Sequence, residues 1–381
     1  MKCIYKATTA LGLVLAASLV AAPSAKALNG PQTITIDGGP LGSLLLSGGA
    51  DGYGYYVSNT AAGVKNNGAY AGSVFVELQK NSGVLQFTVE VGPNGGTIPL
   101  GTTPTQTSAN IYTTGPLFEG YLTIAPPNSP VTVSVGQLGS LEGFEAGTDW
   151  LNNVQLTTAL WAVQNANSRG VSAMYSQGPL TATVEFGDGF DTGVFNFLQA
   201  LVSYAFDGNN IANVYYAGNL GATGLNAYEY GNTTVGSYGA NFVNSQMLGG
   251  YYVHTDGNLT LTPEVQYVYA KANRKLGLTK GSGNFGAALF GDYAFGASPY
   301  SLGAWVEYED STGHDIWASG PGSEAVGAAL APTWQYKDLF ARVNAGAYYL
   351  LNNKQFSTAS FGANGRGKFQ FLGTLEAGLL F

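Results

Sequence analysis

The sequence predicts an all-β protein: a transmembrane, antiparallel, up-and-down β-barrel of about sixteen strands (range twelve to eighteen), with short turns at one end and long loops at the other. Three observations carry that prediction. Only 10% of the 381 residues are charged, while 55 are Gly and 13% are aromatic; ordinary soluble domains carry about 25% charged residues and about 7% Gly. Apolar and polar residues alternate with period two almost throughout. The segments between alternating stretches are short and long by turns, the pattern of outer-membrane barrels.

The same numbers exclude other classes. Acidic residues outnumber basic ones 23 to 15, so the basic stripe of a nucleic-acid binder is missing. A helical bundle would be poor in Gly, and a disordered chain would be poor in aromatics.

The chain begins with a segment that is not read as part of the fold. Lys2 and Lys6 precede an apolar run from Ala7 to Ala22, and Ala25-Lys26-Ala27 offers a small-residue cleavage site. Residues 1–27 therefore read as a cleaved secretory signal peptide. Its removal takes three lysines and makes the net charge of −8 more negative by three. It also takes Cys3, the only cysteine, which excludes disulfides, Cys-ligated metals and a Cys nucleophile from the exported chain. Residues 28–43 read as an N-terminal periplasmic segment, and 44–381 as one barrel domain.

Sixteen strands are expected at 44–57, 70–80, 84–91, 118–125, 130–137, 170–176, 180–187, 197–206, 211–218, 246–254, 259–270, 284–295, 300–308, 324–335, 339–350 and 368–381. Leu85, Phe87, Val89 and Val91 alternate with Gln86, Thr88 and Glu90; Leu339, Ala341, Val343 and Ala345 alternate with Phe340, Arg342, Asn344 and Gly346. Each strand pair is joined by a Gly-, Asn-, Asp- or Pro-containing turn, at 81–83, 126–129, 177–179, 207–210, 255–258, 296–299 and 336–338. Such residues supply hairpin dihedrals. The remaining connections run from about nine residues (188–196) to about thirty-two (138–169). A soluble sandwich shows similar alternation, but its edges are guarded by lysines that are scarce here. In a bilayer the backbone must be fully paired, so the sheet closes. Trp334, Tyr336 and Phe340, with Phe295, Tyr300, Tyr204 and Phe206, are expected in an interfacial girdle, and Phe381 ends the chain.

With the apolar face toward lipid, parity places Glu77, Glu90, Glu185, Glu264, Asp292, Glu307 and Glu376 in the lumen, against Arg342 and Lys368. Barrels of this size have polar interiors, and an acidic excess would favour cations modestly. The loop 138–169 carries Glu142, Glu145, Asp149, Trp150, Trp161 and Arg169. Thr148 is placed to cap a short helix containing Leu151, Val154 and Ala159. A loop this long with tryptophans is expected to fold inward and narrow the pore; the rival reading is an external lid or a subunit contact.

Other motifs lead nowhere. Gly281-Ser282-Gly283-Asn284-Phe285-Gly286 matches G-x-G-x-x-G but opens a strand. Asp188-Gly189-Phe190-Asp191 has too few ligands for an EF-hand. His254 and His314, the latter near Ser311 and Asp315, make neither a triad nor a zinc site. No enzyme activity, metal or cofactor is expected.

Several stretches resemble the OmpL-like β-barrel porin family of Gram-negative bacteria. They are Ser168-Arg169-Gly170-Val171 with Tyr175 and Gly178-Pro179-Leu180, then Asp188-Gly189-Phe190, Leu261-Thr262-Pro263-Glu264-Val265-Gln266-Tyr267, and Trp305-Val306-Glu307-Tyr308 with Ser311-Thr312-Gly313. The run from Pro332 to Arg342 is similar to that family's penultimate hairpin, and Leu375 to Phe381 to its last strand. The resemblance covers about residues 136–381. It implies an outer-membrane localisation and passive diffusion, and leaves the substrate open. Expected partners are outer-membrane lipid, small hydrophilic solutes or cations, the barrel-assembly machinery through Phe381, and two further copies in a homotrimer; no nucleic acid is expected. Two alternatives stay open: a plugged structural or adhesive barrel whose loops bind a partner, and a secreted soluble Gly-rich β-protein.

Overall fold

A computed structural model describes residues 28–93, 95–104, 116–190, 192–224, 240–312, 322–353 and 361–381. The expected signal peptide, Asp191, His314 and Asp315 lie outside the described residues.

Sixteen strands follow one another around a single antiparallel barrel: β1 (Ser43–Val57), β2 (Asn67–Lys80), β3 (Leu85–Val91), β4 (Leu117–Ile124), β5 (Val131–Gly139), β6 (Asn167–Gln177), β7 (Leu180–Gly187), β8 (Phe197–Ala205), β9 (Asn210–Asn219), β10 (Ser245–Asp256), β11 (Leu259–Ala270), β12 (Ser282–Ala294), β13 (Tyr300–Thr312), β14 (Ser323–Tyr336), β15 (Leu339–Asn353) and β16 (Phe369–Leu380). Each pairs with the next, and β16 pairs with β1 from Leu380↔Gly49 to Leu372↔Val57, which closes the sheet. Closure into a ring is the arrangement by which strands meet a bilayer's demand for paired backbone. Every strand expected from the sequence is present.

The alternation resolves into an apolar outside and a largely polar inside. On β16, Leu375 and Leu379 are exposed outward while Gln370, Thr374 and Glu376 are buried. On β7, Val184 and Phe186 face out while Thr181, Thr183 and Glu185 are buried. The short turns use left-handed backbone where the sequence supplies suitable residues: Gly178 (φ 59°), Gly257 (φ 56°) and Asn128 (φ 61°), conformations that Gly and Asn adopt at low cost. Aromatic pairs gather beside these turns: Tyr204–Phe206 (5.1 Å), Tyr293–Phe295 (5.0 Å) and Trp334–Tyr336 (6.5 Å).

Four details differ from the sequence reading. Phe340 is not in the girdle: it shares the inward face of Arg342 and is buried with Phe75, Trp150 and Leu380. Arg169 belongs to β6 rather than to the loop. It lies on the face of outward-pointing Val171, and its guanidinium pairs with Asp188 at 2.5 Å. Lys368 is exposed just before β16. The region after Thr148 forms two three-residue 3₁₀ turns, Asp149–Leu151 and Trp161–Val163, instead of one helix. Arg342 donates to the carbonyls of Asp149 and Asn152 at 2.8 and 2.9 Å, and the Asp149 carbonyl also accepts the Asn152 N–H that closes the first 3₁₀ turn (3.1 Å).

At the short-turn end, Ile34–Asp37 pairs antiparallel with the start of β1, Ile34↔Leu46 to Asp37↔Ser43. At the other end, two connections enter the barrel. Ile98–Pro99, between β3 and β4, pairs in parallel with Leu156–Thr157, between β5 and β6.

Candidate functional site

The segment between β5 and β6 is held by inward-facing side chains around much of the wall. Gln199 on β8 accepts from the Leu141 N–H (3.1 Å), and Gln266 on β11 donates to the Leu160 carbonyl (3.2 Å). The Asn153 amide donates to the Gly291 carbonyl on β12 (3.0 Å). On β13, Glu307 accepts from the Ala159 N–H (2.7 Å) and the Trp305 indole donates to the Leu156 carbonyl (2.7 Å). On β15, Asn344 accepts from the Gln155 N–H (3.0 Å), while Arg342 donates to the two carbonyls named above. Backbone groups that water cannot reach must be paired, and these strands supply the partners.

Apolar contact supplements the hydrogen bonds. Val154, Leu156, Ala159 and Leu160 bury against Tyr53, Tyr55, Phe290, Trp305, Tyr348 and Leu350, together with Ile98 and Leu100 from the other entering connection. Glycines in the wall give the approach. A Cβ on Gly303 would stand 2.0 Å from the Asn153 carbonyl oxygen, and one on Gly346 2.7 Å from Leu100 Cδ2. The sequence reading expected a polar interior and missed this apolar seat. Trp305 carries the correct parity for it, alternating with outward Ala304 and Val306.

The expected lumen residues other than Lys368 are buried at inward positions, and most have defined partners. Arg342 forms a buried pair with Glu376, its Nε 2.5 Å from Oε2 and its Nη2 3.0 Å from Oε1. Glu185 accepts from the Gln199 amide (3.2 Å), and Glu264 from the Tyr215 hydroxyl (2.8 Å). Asp292 is buried near the short-turn end of β12. Glu77 accepts from the Ser47 hydroxyl (3.1 Å) and stands directly opposite Glu90 in the β2–β3 register; Glu90 stands opposite Glu119 on β4. Three glutamates thus form one row across three strands. Glu119 was legible from its alternation with Tyr121 and Thr123 but was not singled out, and neither was Asp51 on β1.

Within the entering segment, Glu145 accepts both the backbone N–H (3.1 Å) and the hydroxyl of Thr158, and Glu142 accepts from the Asn165 N–H (2.9 Å). Burial pushes each of these carboxyls up to about 8, with the bonds to Asn165 and Thr158 opposing the rise. Trp150 is buried with its ring 4.8 Å from Phe75 on β2; Trp161 is half-buried. A cavity lined by Pro31 of the N-terminal segment, Ser47, Phe75, Glu77, Glu90, Trp150 and Leu151 lies where the entering segment meets Glu77 and Glu90. Ser311 donates to Asn284 within the wall, and Asp188 is taken up by Arg169 and the Gly193 N–H (3.0 Å).

A closed barrel with a lipid-facing apolar surface, and with connections folded among inward polar residues, defines an outer-membrane channel. The family model described as "Putative beta-barrel porin-2, OmpL-like" matches residues 43–381. The chain belongs to that family, and the match includes the N-terminal third, where the sequence resemblance was weak. No curated protein matches the chain. Among solved structures it is similar to the outer membrane channel DcaP of Acinetobacter baumannii (TM-score 0.58, 12% identity, covering 89% of this chain and 97% of that one). It is also similar to an anion-selective porin from Comamonas acidovorans (0.58, 11%, 89% and 99%) and to OmpT of Vibrio cholerae (0.56, 11%, 92% and 100%). At these identities the likeness is one of fold.

Proposed function

We propose that this channel is a porin for passive diffusion of small hydrophilic solutes or ions, with a modest preference for cations, narrowed by the segment between β5 and β6. The observation that carries this reading is the pair Glu77 and Glu90, of the row that Glu119 extends, lining a cavity whose other side is the Trp150–Leu151 turn of that segment. Carboxylates lining a confined path raise the local cation concentration, an effect that added salt weakens. In this reading residues 1–27 direct export and are removed, residues 28–43 stay in the periplasm, and Phe381 presents the last strand to the assembly machinery. A homotrimer is the proposed assembly; the trimer form of Vibrio cholerae OmpT, at 12% identity, supports it by fold alone.

A second reading, a plugged barrel that acts through its loops, is favoured by one observation: the dry cluster of Val154, Leu156 and Leu160 on Phe290, Trp305 and Tyr348. Purified protein in a planar bilayer separates the two. Stable steps with a reversal potential of cation-selective sign under a KCl gradient support the porin, and deletion of residues 149–161 then raises the step size. A silent wild type that conducts only after the deletion supports the plug. Equal steps in both proteins remove the segment from the pathway.

A further inference from the structure

The seam of the barrel holds a feature that diffusion does not require. Asp51 on β1, Glu376 on β16 and Asp149 at the start of the first 3₁₀ turn bring one carboxylate oxygen each within 4.8 Å of one another, and all three residues are buried. Arg342 takes both oxygens of Glu376, but among the described residues it is the one cation paired there against three carboxylates. Neither oxygen of Asp51 meets a donor group, nor does Asp149 Oδ2. Asp51 is 7% exposed and Asp149 0%, so solvent does not supply the missing partners. The hydroxyl of Tyr53, two residues along β1 on the same face, is likewise buried without a partner.

The backbone around these oxygens is shaped to leave them room. The β1–β2 register shifts between Ala50 and Gly52, a bulge beside Asp51, and bulges commonly re-aim a side chain next to a site. A Cβ on Gly72 would stand 2.1 Å from Asp51 Oδ2, and one on Gly96 1.6 Å from Asp149 Oδ2. Only a residue without a side chain fits at either position.

We propose that Asp51, Asp149 and Glu376 bind one calcium ion, which ties the entering segment to the seam between the first and last strands. The donors are all oxygen, the set that hard cations take. Oxygens on opposite sides of a calcium ion lie up to about 5 Å apart, which accommodates the spacing here. Three carboxylates less one guanidinium leave two negative charges, and one divalent cation balances them. The site goes beyond the expectation of no metal centre, which rested on the scarcity of Cys and His and on the short ligand set of the Asp188–Asp191 loop.

The test reads binding rather than conductance, so it stands whether or not the barrel passes ions. Full-length mature protein, folded in detergent and stripped with a chelator, is titrated with calcium chloride by calorimetry at neutral pH. One saturable site per chain is expected. Asp51→Asn and Asp149→Asn each weaken it at least tenfold, while Asp207→Asn, in a distant turn, leaves it unchanged. Heat-modifiable gel migration reports whether each variant is a folded barrel, and if Asp149→Asn fails to fold, Asp51→Asn alone carries the test. No saturable site in the folded wild type overturns the proposal, because the cluster is then neutralised by a proton shared between Asp51 and Asp149. Equal affinity in the wild type and both Asp variants also overturns it, because the ion is then held elsewhere on an acidic surface.

Discussion

The two sides of this barrel wall present the same face to lipid and opposite faces to the interior. Strands β11 to β16 turn inward a tryptophan, an arginine, amides and glycines, with Glu264, Glu307 and Glu376 each held by a partner, and the segment after β5 docks on this wall through donors and acceptors already named. Strands β2 to β4 turn inward three glutamates in register, and only Phe75 there stacks on the segment's Trp150. Period-two alternation satisfies the bilayer equally on both sides. The inward residues alone decide which wall carries the segment and which wall fronts the proposed path.

The largest break in that asymmetry is expected from Arg342→Ala. It leaves Glu376 buried without its partner and frees two carbonyls of the segment; losing one partner of a buried pair costs about 3–5 kcal/mol. Amide hydrogen exchange over residues 141–163 should accelerate sharply while the strands stay protected; unchanged protection would show that the guanidinium does not hold the segment. Gly303→Ala sets a Cβ against the Asn153 carbonyl and should loosen the same region by about 1–3 kcal/mol, the usual cost of overpacking. An unaltered exchange pattern would mean that the wall yields instead.

Acidity should tune the docked state next. Glu142 and Glu145 titrate near 8 when docked, above the 4.5 of a free glutamate. The docked form therefore holds more protons, and docking is firmest below about pH 4.5. It weakens as pH rises through 8 and then levels. Exchange corrected for its intrinsic pH dependence should follow that curve in the wild type and flatten in the Glu142→Gln, Glu145→Gln double variant; a flat wild type refutes the assignment. Trp305→Phe removes one indole bond to the Leu156 carbonyl and should cost about 1 kcal/mol, seen as a small loss of protection confined to residues near 156. On the other wall, Glu90→Gln with Glu119→Gln should lower the cation-to-anion permeability ratio roughly two- to threefold without altering exchange in the segment. If the ratio holds, the path does not run along the glutamate row.

The strands were legible because one face must meet lipid, which forces a strict two-residue pattern. Their outer ends were not. β2 begins at Asn67, β6 at Asn167 and β12 at Ser282, and β15 runs on to Asn353; polar residues at these ends pair in the ladder yet read as loop composition. Inward positions could be assigned by parity, so Glu77, Glu264, Glu307 and Arg342 were found. What they touch could not, because Glu307 and Ala159 are 148 residues apart in the chain. The inward course of Ile98–Pro99 left almost no signal beyond three apolar residues after a glycine pair. The one-helix expectation failed because the backbone of Gln155, Leu156 and Ala159 bonds to wall side chains instead of to its own neighbours.

The closing pair of strands has a consequence for the order of events during folding. Arg342 meets its carboxylate only when β16 lies beside β15, and Asp51 comes near Glu376 only when β16 has also met β1. The entering segment leaves the chain far earlier, after the fifth strand, yet the groups that grip Asp149 and Gln155 arrive with the last two. Contacts so distant in sequence form late. The grips on Asp149 and Gln155 are therefore made last, whereas Gln199, Gln266 and Trp305 can take up the rest of the segment before the final strand closes the ring.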